Sequence, residues 1–189
     1  MSESYQHIQN FDKIDFSAKE MSKEYESCAF NNCNFLNSDL SKIKFIDCTF
    51  ENCNFSRVKI YATLFRDVHF KNCKLLGLTL DDCNELLLSM SFNDCQLSLA
   101  SFYKLSLKNT TFENCNLKEA DFTESDLTHS TFSNCDLAGA VFKNTILKNV
   151  DFRTSYHFSI DPEINQIKKA KFSMPEIVGL LDKYDIEIE

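Results

Sequence analysis

Large apolar residues recur every five positions along most of this chain. Between Thr110 and Phe152 they run Phe112, Leu117, Phe122, Leu127, Phe132, Leu137, Phe142, Leu147 and Phe152, with Phe and Leu in strict alternation. Two residues before each stands a small or β-branched one: Thr110, Cys115, Ala120, Ser125, Ser130, Cys135, Ala140, Thr145 and Val150. The other positions are mostly polar. A spacing of five fits neither the helical period of about 3.6 nor the strand period of about 2. It fits a chain that turns a corner every five residues, with the large side chain filling the interior and the small one beside it. Four such sides close a square coil.

A second period of 20 supports the square. One column reads Phe30, Phe50, Phe70, Phe92, Phe112, Phe132, Phe152 and Phe172. Another reads Phe35, Phe55, Leu75, Leu97, Leu117 and Leu137, with small partners Cys33, Cys53, Cys73, Cys95, Cys115 and Cys135. Both stay in step only if two extra residues lie between Leu80 and Phe92. Placed near Asn84 and Glu85, the insertion makes Leu87 the missing large residue and leaves Glu85 unburied. Asp81, Asp82 and Glu85 cluster at this bulge. A functional bulge and a tolerated insertion at a corner are both open. Coils of a β-helix stack about 4.8 Å apart, so the seven coils from Phe30 to Phe172 predict a rod of roughly 34 Å.

From about Tyr25 to Phe172 the chain resembles the pentapeptide-repeat proteins, whose A/S/C-D/N-L/F pattern it repeats throughout. That resemblance implies an all-β fold, a right-handed quadrilateral β-helix; the handedness comes from the family alone. It also implies that Asp121, Asp126 and Asp136, each just before a large residue, hold corners by side-chain hydrogen bonds. Residues 1–24 fall outside the pattern. With Phe11, Ile14, Phe16 and Met21 among charges, they are expected to form an N-terminal cap over the first coil. Residues 25–172 form the β-helix. Residues 173–189 are expected to form a helix and a short strand. Ser173 to Glu176 reads as a capping box. Ile177, Leu180, Leu181 and Tyr184 then make one apolar helix face, and Asp185 to Glu189 alternates through Ile186 and Ile188.

Composition narrows the chemistry. There are 18 Phe, no Trp and only three Gly, so corners fall to Asn, Asp, Ser, Thr and Lys. Eight of the nine cysteines occupy the small inward position, and Cys83 matches its phase. Stacked thiols at coil spacing lie beyond disulfide geometry, so the cysteines are expected to be structural and reduced, which points to a cytoplasmic protein. Neither a signal peptide nor a membrane span is expected. His7, His69, His129 and His157 are scattered, and no metal, nucleophile or phosphate-loop motif is present, so neither a cofactor nor an enzymatic activity is expected.

Charge is uneven. The net charge is −8. Asn54 to Leu80 carries net +4, while Glu113 to Leu137 carries net −5 through Glu113, Glu119, Asp121, Glu124, Asp126 and Asp136 against Lys118. Glu119 and Glu124 are expected at corners, pointing outward.

The stretch Tyr156–Pro162, with Asn165, Ile167, Ala170, Phe172, Ser173, Pro175, Leu180, Leu181, Ile186 and Ile188, is similar to the tail of topoisomerase-protecting members. It most resembles the albicidin and microcin immunity proteins, and less closely the quinolone-resistance proteins. That likeness implies a homodimer joined through Ile177, Leu180, Leu181, Tyr184, Ile186 and Ile188, and protection of DNA gyrase by DNA mimicry. No direct binding of nucleic acid is expected. Duplex DNA carries about 20 charges over a rod of this length, so net −8 cannot mimic it over the whole surface. The six acids would have to gather on one face. A generic scaffold for another protein is the competing reading.

Overall fold

A computed structural model describes residues 5–188. The parts of the expected cap and tail at residues 1–4 and at residue 189 lie outside the described residues. The protein is an all-β parallel β-solenoid. Its strands are β1 (Tyr5–His7), β2 (Asn10–Asp12), β3 (Glu24–Glu26), β4 (Ala29–Asn31), β5 (Lys44–Ile46), β6 (Thr49–Glu51), β7 (Leu64–Arg66), β8 (Val68–Lys71), β9 (Met90–Asn93), β10 (Thr111–Glu113) and β11 (Thr131–Ser133). Strands β1, β3, β5 and β7 pair in parallel along side one. Strands β2, β4, β6, β8, β9, β10 and β11 pair in parallel along side two. Sides three and four stack through single parallel bridges, such as Asn116 with Asp136 and Asp121 with Val141.

The register places like on like. Phe50 sits over Phe30, Phe70 over Phe50, and Phe132 over Phe112. Along a column the rings stack, with centroids 4.6 Å apart for Phe112 and Phe132. Across the interior, Phe columns on different sides meet edge to face, as Phe112 on side two and Phe122 on side four do at 6.0 Å and 87°. Both arrangements suit the ring quadrupole. In the C-terminal half Phe columns occupy opposite sides two and four and Leu columns sides one and three, so large and smaller side chains alternate around each coil. Phe112, Phe122, Leu117 and Leu127 are fully buried.

Small inward residues have a second duty. Many of these thiols and hydroxyls donate to the carbonyl of a large residue one coil below. Cys53 Sγ reaches the Phe30 oxygen at 3.3 Å, Thr145 Oγ1 the Phe122 oxygen at 2.9 Å, and Ser155 Oγ the Phe132 oxygen at 2.9 Å. The position needs a small side chain, as Ala120 and Ala140 show, and Cys, Ser and Thr add a hydrogen bond to it. All nine cysteines are buried and free.

Corners use left-handed residues. Asn32, Asn52 and Asn72 have φ of 55°, 56° and 49°, a conformation asparagine tolerates better than most side chains. Their amides form a ladder, with Asn52 Nδ2 donating to Asn32 Oδ1 at 3.1 Å and Asn72 Nδ2 to Asn52 Oδ1 at 2.6 Å.

Three expectations need correction. Residues 5–22 are not a cap of separate design but a further coil in the same register. Tyr5 pairs with Glu24 and Asn10 with Ala29, and Phe11 stacks on Phe30 at 4.8 Å. Its period is 19, one short, which hid it from a five-residue reading. At the interruption, Leu88 rather than Leu87 packs on the core, while Leu86 and Leu87 are 65% and 63% exposed. Asn84 still bridges Leu64 and Met90 pairs with Val68, so the extra residues lie between Glu85 and Met90. Finally, the tail is not an α-helix. It has two short 3₁₀ turns, Glu176–Leu180 and Asp182–Tyr184, and no strand among residues 185–188. The supposed capping box does not form. Glu176 instead accepts the His157 backbone N–H at 3.2 Å.

Candidate functional site

The six C-terminal acids are distributed around the coil. Glu113 lies on side two, beside Asn93 and Ser133. Asp136 lies on side three, Asp121 on side four and Asp126 on side one. Glu119 and Glu124 are the corner residues on either side of Asp121, with φ of 56° and 58°. Only Glu119, Asp121 and Glu124 therefore share a face. The reason is arithmetic: 25 residues from Glu113 to Leu137 exceed one 20-residue coil, so acids spread along the stretch must circle the rod.

Several of these acids are already engaged. Asp121, Asp126 and Asp136 accept backbone N–H groups from Thr123, Thr128 and Ala138 at 2.8, 3.0 and 3.2 Å, the corner role implied by the family. Asp126 also pairs with Lys108 at 3.1 Å, and Asp136 with Lys118 at 3.1 Å. Partial burial would raise the Asp126 carboxyl, but bonds from Thr128 and Lys108 outweigh it and hold the group below its ordinary range. Asp136 behaves alike, with His157 and Lys118 outweighing burial. Glu124 has Lys104 at 3.5 Å, both largely exposed, a pair that contributes little. Glu113 accepts from Asn93 at 2.8 Å.

The acidic cluster at the interruption is partly built into the backbone. Leu80–Asp82 forms a 3₁₀ turn, and Thr79 donates to Asp82 at 2.9 Å. Glu85 is exposed.

The C-terminal apolar set divides. Leu180 packs against the core and Gly179 is buried. Ile177, Leu181 and Tyr184 are 40%, 36% and 50% exposed, and Ile186 and Ile188 each 56%. Leu180 therefore anchors the tail, and the others form an open end face, joined by Met174 and Val178, which sequence periodicity missed. Several contacts pin the tail, beside the Glu176 bond to His157. Ile160 N–H donates to the Gly179 carbonyl at 2.9 Å. A Cβ at residue 179 would collide with the Phe158 carbonyl, so glycine is required there. Lys183 bridges Asp161 at 2.7 Å and Glu163 at 2.6 Å.

One charge feature was missed by windowed counting. From Lys143 to Lys171 six cations stand against Asp151, Asp161 and Glu163. By count, then, the last coils are net basic.

The interior is filled by the stacked columns. A recess of about 730 Å³ opens on the surface between Phe16–Lys23 and Ser38–Ile43, where the shorter first coil departs from the one below.

A family model for the pentapeptide repeat region matches residues 23–85 and 86–157. No curated protein matches the chain by sequence. Among solved structures, a trypsin-treated variant of QnrB1, a plasmid-mediated fluoroquinolone resistance protein, is 20% identical over 98% of this chain and 97% of its own, with a TM-score of 0.46. Full-length QnrB1 is 18% identical over 96% of this chain and 100% of its own, at 0.40. HetL of the cyanobacterium Nostoc sp. strain PCC 7120, involved in heterocyst differentiation regulation, is 15% identical over 86% of this chain and 88% of its own, at 0.32. With its stacked coils of five-residue sides and a matching family model over most of its length, the chain belongs to the pentapeptide-repeat family.

Proposed function

We infer that the protein acts by binding a macromolecule on its outer surface, and that its partner is DNA gyrase, which it protects from a poison. The interior supports surface action, because its columns leave no room for a substrate. The observation that carries the gyrase reading is the C-terminal end. There an open apolar face is pinned rigidly to the last coil, in a tail whose sequence resembles that of the topoisomerase-protecting members. Two copies meeting through that face form a two-fold dimer, and a continuous rod. Within it, Glu119, Asp121 and Glu124 on side four form the strip with the sign of DNA, smaller than a whole-face mimic, and attract a DNA-binding saddle electrostatically.

Gyrase supercoiling measured with a poison, with and without this protein, tests the reading. Wild type restores supercoiling. Glu119→Lys with Glu124→Lys abolishes the effect while leaving fold and oligomeric state unchanged. Lys42, Lys104 and Lys169 already occupy the equivalent left-handed corner, so lysine is sterically at home there. Full protection by the double variant overturns the role of side four. Absence of protection by wild type leaves the generic scaffold as the function.

A further inference from the structure

The edge between sides one and two of the last coils has the opposite sign to side four. Thr128, Lys148 and Lys168 stack in successive coils there. The His129 N–H donates to the Lys148 carbonyl at 3.0 Å, and the Asn149 N–H to that of Lys168 at 3.1 Å. Lys108 begins the same column, since Ser106 bridges Asp126. Lys169 follows at the corner, with φ of 62°. All four lysines are exposed. Lys108 is held by Asp126 at 3.1 Å. Among the described residues, Lys148, Lys168 and Lys169 have no carboxylate within ion-pair distance. Beside them on side two, Arg153 and Lys171 flank Asp151 at 2.7 and 3.7 Å. Six cations thus stand against two carboxylates, Asp126 and Asp151. Glu113 bounds the surface towards the N-terminus.

We propose that this edge binds the phosphate backbone of duplex DNA without reading sequence. The column runs straight along the rod, one residue per coil at about 4.8 Å, with lysine at three of its four positions, 108, 148 and 168, and Thr128 between. A strand laid along it offers a phosphate every 3.4 Å or so of helix axis, so the long lysine side chains each reach one. Flanking residues are Asn109, Thr128, Asn149, Thr131 and Ser133, the hydroxyl and amide donors that commonly accompany lysine on phosphates. None of the large exposed apolar side chains lies on this edge, whereas a protein partner calls for aromatic or aliphatic anchors at the centre of its interface. The chain's net negative charge keeps the contact weak and confined to low salt. The proposal stands independently of the gyrase reading.

Fluorescence anisotropy of a labelled random-sequence duplex, titrated with full-length protein across a range of salt, tests it. About four phosphates neutralised predict affinity falling on the order of a hundred-fold between 50 and 200 mM salt. Lys148→Glu, Lys168→Glu and Lys169→Glu together reduce that dependence to a few-fold. Lys59→Glu with Lys74→Glu, far from the edge, leaves it unchanged. The substituted positions are exposed, and a melting curve checks that each variant folds. No duplex binding at low salt overturns the proposal, as does a triple variant that binds with the wild-type salt dependence. Binding of polyglutamate but not of duplex reassigns the edge to an acidic protein and overturns it equally.

Discussion

Phe112 shows how much a single position carries. It is fully buried, stacked on Phe92 at 5.2 Å and Phe132 at 4.6 Å, and met edge-on by Phe102 and Phe122. Phe112→Ala removes contacts above, below and beside it, and the rigid coils cannot collapse into the space. A loss of about 3–5 kcal/mol in stability is expected by denaturant unfolding. The cysteine column makes the opposite case. Ser155 and Thr145 perform the same hydrogen bond elsewhere, so Cys95→Ser is expected to cost less than about 1.5 kcal/mol. Burial pushes the thiols of Cys48 and Cys83 up to about 12. Native protein is therefore expected to react slowly with thiol reagents at neutral pH, and denatured protein to reveal nine free thiols. Fast labelling of several thiols in the native state would refute a sealed column.

At the scale of elements, the tail is held by a few contacts rather than by a column. Gly179→Ala drives a methyl into the Phe158 carbonyl. It is expected to release residues 173–188 while the coils keep their melting behaviour, and to yield monomers in sedimentation if the dimer forms through the end face. Leu181→Asp tests that face more cleanly than a change at Leu180, which anchors the tail to the core. Acid should also loosen the tail. Lys183 leads the interactions that hold the Asp161 and Glu163 carboxyls below their ordinary values. A carboxyl depressed in the folded state contributes stability above its unfolded value, near 4 by order of magnitude, and that contribution fades as pH falls through the folded value. Tyr184, whose hydroxyl donates to Glu163 at 3.0 Å, should shift its ring resonances below about pH 4, while core phenylalanines stay in place. Coincident changes in both would mean that the tail is not an independent unit.

For the whole molecule, a rigid parallel stack converts linear sequence position into a fixed direction. Residues 20 apart share a side, so a charge pattern along the chain becomes a pattern of sides and edges. Side four acquires Glu119, Asp121 and Glu124, and the edge between sides one and two acquires Lys148, Lys168 and Lys169. Two surfaces of opposite sign on one rod account for a net charge too small for a complete DNA mimic. The supercoiling and anisotropy experiments probe them separately, because the substitutions in one lie away from the other.

The repeat alone determined the square coil, the buried Phe, Leu and Cys columns and the outward glutamates, since a five-residue period has few other physical solutions; the corner role of the aspartates came from the family resemblance. It also located the interruption between Leu80 and Phe92. Local periodicity could not decide where register was broken. The first coil, of 19 residues, declared itself only through the pairing of β1 with β3 and β2 with β4, because strand register is set by neighbours. Leu88 replaced Leu87 at the core because the bulge's backbone path, rather than its count, aims the side chain. The tail's helical spacing was real in sequence, yet the chain forms two 3₁₀ turns there, with Gly179 against Phe158 and Lys183 reaching Asp161 and Glu163. Which charges share a surface was likewise decided by the tertiary structure: counting along the chain sums residues that the coil sends to four different sides.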